Sequence, residues 1–150
     1  MKKILLALRP LFLIMIVIGM FSSAAWAARV TVASDIANIR FGPGKDYEVL
    51  WQVEKYHPFV VMKRDGRWIK IKDYEGDVAW LHDSLIGKGL KGVITHKSKC
   101  NVRSKPSTKG RILFTVEKGV PFKVVKKQGD WLKIQHADGE SGWIFRKLVW

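Results

Sequence analysis

The chain has 150 residues, with 27 Lys and Arg against 13 Asp and Glu, a formal net charge of +14 and 47% hydrophobic residues. These values exclude a collagen-like, disordered or acidic protein and indicate a basic, globular one. One cysteine, Cys100, and four scattered histidines do not supply a disulfide framework or a structural zinc site, so we expect no metal and no cofactor.

The first 27 residues have the pattern of a secretory signal peptide. A basic leader containing Arg9 precedes the apolar run 11–21, which is shorter than the roughly 20 residues that a membrane-spanning helix needs. Small residues at Ala25 and Ala27 predict cleavage after Ala27, which would leave no stable membrane span. An uncleaved membrane anchor is the alternative. Export places the protein across the inner membrane, in the periplasm or at the cell wall.

The remaining sequence contains one unit twice, in a register shifted by 63 positions without a gap. The matching segments include Asn38-Ile39-Arg40 with Asn101-Val102-Arg103, Pro58-Phe59 with Pro121-Phe122, Lys70-Ile71 with Lys133-Ile134, Trp80 with Trp143, and Leu85 with Leu148. The glycine- and lysine-rich stretch 87–92 is interpreted as a linker. We therefore predict a first unit over residues 28–86 and a second, strongly basic unit over residues 93–150.

Each unit is predicted to consist of short strands joined by tight turns. In the first unit, residues 59–63 and 68–72 flank Asp65-Gly66, a hairpin signal in which both central residues can adopt positive φ. A turn at Gly76 then leads into a third strand, so the three strands form an antiparallel meander, and no segment has a helical period. The chain is therefore all-β, and barrel-like closure would protect the edge strands of such small units.

The order of these residues resembles the bacterial SH3-like (SH3b) domain in both copies, over residues 30–150. The shared pattern is Asn-x-Arg, Pro, Val-Glu-Lys, an apolar strand, Gly-x-Trp-x-Lys-Ile, and then Trp followed by a closing Leu. In the first copy Ala79 replaces the glycine before Trp80, and Phe41-Gly42 replaces a small polar pair. The resemblance implies two small SH3-like β-barrels in tandem, no catalysis, and targeting of secreted bacterial proteins to cell-wall peptidoglycan.

Tryptophans and arginines are the main candidate ligand-binding residues. Alternation along a strand directs Trp68 and Lys70 to the face opposite Ile69 and Ile71, and likewise Trp131 and Lys133 in the second unit. An outward tryptophan can stack on a ligand, or it can cover a neighbouring hairpin. Trp80 and Trp143 are interpreted as structural.

Arg40 and Arg103 occupy the same place in the repeat. Each either holds loop carbonyl groups or clamps the carboxylate of a peptide stem. Tyr47, Tyr56 and Tyr74 occur only in the first copy. We therefore count Tyr47 and Tyr74 among the candidate ligand-binding residues.

Catalysis has few candidate residues. His82-Asp83-Ser84 contains the residue types of a triad, but consecutive side chains are expected to diverge. Cys100 could be a nucleophile, yet it aligns with Ala37, which indicates a small core position. We therefore expect no enzymatic activity.

The positive charge is concentrated in the second unit. Residues 29–87 contain nine basic and nine acidic side chains, whereas residues 88–150 contain 15 basic and four acidic ones, a net charge of +11. This imbalance indicates a polyanion-binding patch rather than a merely soluble surface. The patch residues are Lys97, Lys99, Lys105, Lys109, Arg111, Lys123, Lys126 and Lys127.

These features together predict a secreted, non-catalytic binding protein. The neutral unit would recognise a peptide or glycopeptide and the basic unit would hold an anionic surface, and peptidoglycan or another anionic envelope polymer satisfies both. The alternative is an adaptor that binds an envelope enzyme or another envelope protein. Nucleic acid is not an expected partner, because the chain is exported.

Overall fold

The computed structural model describes residues 28–150, so the predicted signal peptide and its cleavage site lie outside the described residues. The described residues form two sets of six β-strands. The first set is β1 (Arg29–Thr31), β2 (Ile36–Arg40), β3 (Val49–Glu54), β4 (Pro58–Asp65), β5 (Trp68–Lys72) and β6 (Val78–His82). The second set is β7 (Gly92–Ile94), β8 (Cys100–Arg103), β9 (Ile112–Val116), β10 (Pro121–Gln128), β11 (Trp131–Gln135) and β12 (Ser141–Phe145).

The two sets repeat each other closely. A shift of 63 positions superimposes the bounds of β1, β4, β5 and β6 on those of β7, β10, β11 and β12. A short 3₁₀ turn follows each set, at Asp83–Leu85 and at Arg146–Leu148. The ungapped repeat and the all-β prediction are therefore confirmed. No helix within residues 28–150 is long and apolar enough to cross a membrane.

Each set forms one antiparallel sheet that is open rather than a closed barrel. The strand order is β1-β4-β5-β6-β2-β3 in the first unit and β7-β10-β11-β12-β8-β9 in the second. The predicted meander is confirmed as β4-β5-β6, but the prediction of closed barrels is wrong. At the end of β1, the backbone groups form hydrogen bonds with residues outside β3. The Val32 amide donates to the His57 carbonyl, and the Gly87 amide donates to the Thr31 carbonyl. β1 and β3 thus remain opposite edges, with no ladder between them in the described residues.

Each open sheet still curls around a single core. In the first unit the core contains Val30 from β1 and Val53 from β3, the two opposite edge strands. Phe59 is fully buried there, and its repeat partner Phe122 is 1% exposed in the second core. The outward tryptophans alternate with buried aliphatic residues in β5 and β11, as the period-2 pattern predicts.

The hairpin between β4 and β5 is confirmed, but its turn differs from the predicted one. Asp65 pairs with Trp68, so the two-residue loop is Gly66-Arg67 rather than Asp65-Gly66. Only Gly66 has positive φ, at 56°, and Gly129 has the same value in the second unit. Positive φ at the first loop residue alone is the type II′ pattern, which also fits the twist of a hairpin.

Several of the residues through which the two units contact each other differ between the copies. Lys118 forms an ion pair of 2.7 Å with Glu75, and its ammonium group lies 5.6 Å from the centre of the Tyr74 ring. Tyr56 has φ of 72°, where the second unit has Gly119, and its ring lies 5.7 Å from the Lys123 ammonium group. Two of the tyrosines that distinguish the first copy therefore contribute to the contact between units.

Gly92, the first residue of β7, is expected to be essential for this contact. Its amide donates to Thr31 Oγ1 at 2.9 Å, and a β-carbon at this position would overlap the backbone carbonyl oxygen of Tyr56. We expect Gly92→Ala to reduce stability by about 1–3 kcal/mol and to increase the radius of gyration, because the units must separate. Urea unfolding and small-angle X-ray scattering measure the two effects.

Gly89→Ala in the same linker is the matched control. A β-carbon at Gly89 meets no atom within 4 Å, although φ is +70°. This variant should lose some stability through backbone strain but keep the parent radius of gyration. Equal expansion of both variants would contradict the role of Gly92.

Candidate functional site

An equivalent groove lies beside the outward tryptophan of each unit. The first groove has a volume of about 470 Å³ and the second about 280 Å³. Seven pairs of repeat partners line both grooves, and three of these pairs differ in chemistry. The pairs are Ile36 and Lys99, Asn38 and Asn101, Arg40 and Arg103, Lys45 and Thr108, Trp68 and Trp131, His82 and Phe145, and Leu85 and Leu148. The grooves therefore contain four of the predicted ligand-binding residues, Arg40, Arg103, Trp68 and Trp131, and Lys99 of the predicted polyanion patch.

Strand pairing positions each tryptophan against a second ring. Trp68 pairs with His82 across β5 and β6, and their ring centres lie 5.0 Å apart in an edge-on arrangement of 79°. Trp131 and Phe145 occupy the same register, with centres 5.5 Å apart. Both indoles are half-buried. The second ring restricts the rotation of each indole and keeps it at the groove wall, which suits stacking on a ligand.

Each groove arginine holds the adjacent loop. Arg40 Nη1 donates to the carbonyls of Lys45 and Tyr47 at 2.9 and 2.7 Å. Arg103 Nη1 does the same to Thr108 and Gly110 at 3.0 and 2.8 Å. The loop-holding interpretation is therefore confirmed. All these bonds start from Nη1, and within residues 28–150 no protein acceptor bonds to the other guanidinium nitrogens of either arginine. Those nitrogens could bind a carboxylate of a ligand, and the carboxylate clamp stays a prediction.

The two grooves differ in polarity. In the first, Gln52 Nε2 donates to Asn38 Oδ1 at 2.7 Å and the wall contains the imidazole of His82. In the second, Phe145 replaces the imidazole and Lys99 replaces an aliphatic side chain. Each groove also contains one arginine and one lysine, so both grooves suit an anionic ligand group, and the first offers more uncharged polar contacts than the second.

His82 and Ser84 line the first groove, and Asp83 lies between them in the sequence. The expectation that these side chains diverge is wrong for two of them, because the 3₁₀ turn brings Ser84 Oγ to 2.7 Å from His82 Nδ1. Asp83 Oδ1 approaches the same nitrogen at 3.7 Å and accepts a hydrogen bond from Arg67 Nε at 2.8 Å. A triad needs the acid and the hydroxyl on opposite ring nitrogens. This cluster therefore caps the turn and does not have triad geometry.

The other predicted ligand-binding residues lie outside the grooves. The Tyr47 ring packs against Gly42, where a β-carbon would overlap the ring. In the second unit the larger residue of this pair is on the other side, because Lys105 replaces Gly42 and Gly110 replaces Tyr47. Tyr74 lies at the contact between units, where partial burial raises its pKa. Lys70 pairs with Trp80 on the outer face of the sheet, and Lys133 pairs with Trp143 in the same way. Their roles in binding stay predictions.

The eight residues of the predicted polyanion patch occupy three regions. Lys105, Lys109 and Arg111 lie in the β8–β9 loop, whereas Lys97 and Lys99 precede β8. The others lie on β10, where Lys126 and Lys127 are exposed and Lys123 is half-buried. No carboxylate of residues 28–150 forms an ion pair with any of the eight. Their charges therefore remain available to an anionic partner.

Cys100 and the acidic turn after β5 have structural roles. Cys100 is fully buried at the position of Ala37, and burial raises the pKa of its thiol, which keeps it protonated. Asp73, Glu75 and Asp77 bring carboxylate oxygens within 4.8 Å of one another. However, Asp73 Oδ1 already accepts from the amides of Glu75 and Asp77, and Glu75 pairs with Lys118.

Sequence reasoning missed the second ring and the asparagine of each groove. Asn38 precedes Arg40 by two residues, so the period-2 rule already placed both on one face. The pairing of Trp68 with His82 could not be read from either strand alone. The sequence nevertheless contained a signal for these rings. His82 follows Trp80 by two residues and Phe145 follows Trp143 by two, so each ring lies on the same face of its strand as that tryptophan.

Comparison with known proteins agrees with this repeated architecture. The profile of the family described as "Bacterial SH3 domain" matches twice, over residues 33–88 and 96–150. The chain belongs to the bacterial SH3 domain family. The first match ends within the predicted linker, the second begins after it, and each contains one complete tryptophan groove.

Two curated relatives share this region. The putative N-acetylmuramoyl-L-alanine amidase YrvJ of Bacillus subtilis is 28% identical over 140 residues, which cover 86% of this chain and 27% of that protein. The probable cell wall amidase LytH of Staphylococcus epidermidis is 33% identical over 54 residues, 35% of this chain and 19% of that protein. The bacterial SH3 chain thus spans about a quarter or less of these relatives.

A solved structure of an NlpC/P60 family protein from Bacillus cereus also aligns with this chain. The TM-score is 0.38 at 12% identity, and the alignment covers 82% of this chain and 56% of that one.

Proposed function

We propose that this protein is a non-catalytic module that binds peptidoglycan through its two tryptophan grooves. The observation that carries the proposal is the repetition of one groove, with the same Trp, Arg and Asn, in both units. In this proposal the indole stacks on the ligand, and the guanidinium nitrogens that the loop leaves free bind a stem-peptide carboxylate. Two weak sites on one chain bind a repetitive polymer more tightly than either does alone.

The relatives support the same target. One is named as an N-acetylmuramoyl-L-alanine amidase and the other as a cell wall amidase. The segments that match them contain the bacterial SH3 domains of this chain and make up a small part of each relative. A binding module shared with such enzymes would carry them to their substrate. We therefore propose that this chain acts at the cell wall or in the periplasm and contributes binding rather than hydrolysis.

Co-sedimentation with purified peptidoglycan sacculi tests the proposal. Residues 28–150 contain both cores and every described strand, so this segment is expected to fold by itself. We expect Trp68→Ala combined with Trp131→Ala to weaken binding at least 30-fold, which corresponds to the loss of a hot spot of about 2 kcal/mol.

Met62→Ala combined with Val125→Ala is the matched control. These repeat partners are 51% and 55% exposed, and neither lines a groove. The control should bind within twofold of the parent at all salt concentrations. Equal binding by the tryptophan variant and the parent would refute the groove proposal. If the parent no longer binds at about 0.15 M salt, its attraction to the sacculus is non-specific and electrostatic, as it would be to any polyanion.

An adaptor for an envelope protein is the second candidate function, favoured by an apolar surface in the first unit. Phe41 is 68% exposed, and Tyr47, Val49 and Leu50 beside it are also exposed. Such a cluster is typical of protein interaction sites. Competition by soluble stem peptide distinguishes the two functions. If the peptide displaces this chain from the sacculus but not from an envelope protein, the apolar surface rather than the grooves binds that protein.

A further inference from the structure

A third concave site lies where the two units meet the linker. It is a cavity of about 940 Å³, larger than either groove, and we call it the inter-unit cavity. β1 and the linker form one wall, while β7, β10 and β11 form the other. The side chains that make this cavity apolar are Val30, Ile86, Leu90, Val93, Val124 and Leu132. Its size is that of a typical small-molecule site.

Cationic side chains surround this apolar lining. They are Arg29, Arg64, Lys88, Lys91 and Lys127. Within residues 28–150 none of them forms an ion pair with a carboxylate, and residues 1–27 contain no Asp or Glu. The one carboxylate in the cavity lining, that of Asp83, already accepts a hydrogen bond from Arg67 at 2.8 Å. Among the described residues, five cations and a single carboxylate therefore line the cavity.

One of these cations, Arg29, lies against an aromatic ring. Its guanidinium lies 3.9 Å from the centre of the Trp150 ring, which orients it at the junction of the two units. Desolvation lowers the pKa of this guanidinium, although Arg29 as a whole remains exposed. A bound anion would replace the lost solvation.

We propose that the inter-unit cavity binds a single-chain anionic lipid, with its acyl chain against the aliphatic side chains and its headgroup among the five cations. A hydrophilic anion would leave the aliphatic lining in water, and a neutral lipid would leave the cations unpaired beside an apolar chain. Only a ligand with both parts satisfies both features of the cavity. The site is separate from the two grooves and does not depend on peptidoglycan binding.

Titration calorimetry with dodecyl phosphate, below its micellar concentration and in 0.15 M salt, tests this proposal. We expect one molecule to bind per segment 28–150, at least tenfold more tightly than butyl phosphate or dodecyl maltoside. Equal affinity for butyl phosphate would overturn the proposal, because the apolar wall would then contribute nothing. Tighter binding of a leucine tetrapeptide with a free carboxyl terminus would also overturn it and identify a peptide site.

A charge-matched pair of variants locates the site. Lys91→Gln with Lys127→Gln removes two cations from the cavity, and we expect at least a tenfold loss of dodecyl phosphate affinity. Lys105→Gln with Lys109→Gln removes the same charge from the β8–β9 loop, outside the cavity, and should change affinity less than twofold. Equal losses in both pairs would overturn the proposal, because binding would follow net charge alone.

The groove variants separate this proposal from the peptidoglycan one. Trp68 and Trp131 do not line the cavity, so the segment carrying both alanine substitutions should bind dodecyl phosphate as the parent does. A loss of lipid binding in that variant, with the fold intact by circular dichroism, would assign the lipid to the grooves and overturn the cavity proposal.

Discussion

Truncation of Phe59 to alanine is expected to unfold the first unit. Phe59 is fully buried in a core drawn from all parts of the curled sheet, and removing such a ring costs about 3–5 kcal/mol. A domain of this size is stable by only a few kcal/mol, since stability is roughly 0.05–0.15 kcal/mol per residue. The loss therefore approaches or exceeds the whole stability of the unit.

Two-dimensional amide NMR spectra of segment 28–150 test this prediction. Phe59→Ala should collapse the dispersed signals of the first unit while most signals of the second unit stay dispersed. Phe122→Ala, at the equivalent position of the second core, should do the reverse. A Phe59→Ala protein with the thermal midpoint of the parent would show that this ring does not stabilise the core.

Acidification is expected to destabilise the first unit through His57. This histidine is 8% exposed, its ring centre lies 4.7 Å from that of Phe59, and its Nε2 atom has no hydrogen-bond partner among the described residues. Burial lowers its pKa from 6.5 to about 4, an effect that the nearby Asp73 carboxylate partly opposes. In the unfolded chain the same imidazole is protonated at higher pH.

The direction of the pH effect follows from these two pKa values. Below about pH 6.5 the unfolded state binds a proton that the folded state excludes, so stability falls until about pH 4. The loss at pH 4.5 relative to pH 7 should be about 2–3 kcal/mol, because one pKa unit corresponds to about 1.4 kcal/mol. Urea unfolding at the two pH values, followed by fluorescence, measures it.

Val120, the repeat partner of His57, suggests the control variant. His57→Val introduces the side chain that the second unit tolerates at this position and removes the titrating group. Between pH 7 and pH 4.5, the free energy of unfolding should fall less in this variant than in the parent, by a difference of at least about 2 kcal/mol. Equal losses in the two proteins would mean that other groups cause the acid sensitivity.

Much of the fold could be predicted from local sequence. The alternation in Trp68-Ile69-Lys70-Ile71 determines which side chains enter the core, because successive residues of a strand point to opposite faces. The outward placement of Trp68 follows from the same rule. The tryptophan and the arginine of each groove were therefore identifiable before any contact was known.

The remainder depended on pairing between distant segments. Trp68 meets His82 only because β5 and β6 pair in one particular register, and a shift by one residue would place Leu81 there. Sheet closure depended on whether edges β1 and β3 pair, which composition does not encode. Tyr56 and Tyr74 looked like additions for ligand binding, yet they lie at the contact between units.

The sequence by itself determined the repeat, the all-β class, the core-facing residues and the concentration of charge in the second unit. All of these depend on composition or on the spacing of neighbouring residues. Only the tertiary structure decided that the sheets stay open, that each groove has two rings, and that the units enclose a cationic, apolar cavity. These features arise where residues about 15 to 100 positions apart meet, and such contacts depend on strand register and packing rather than on local pattern.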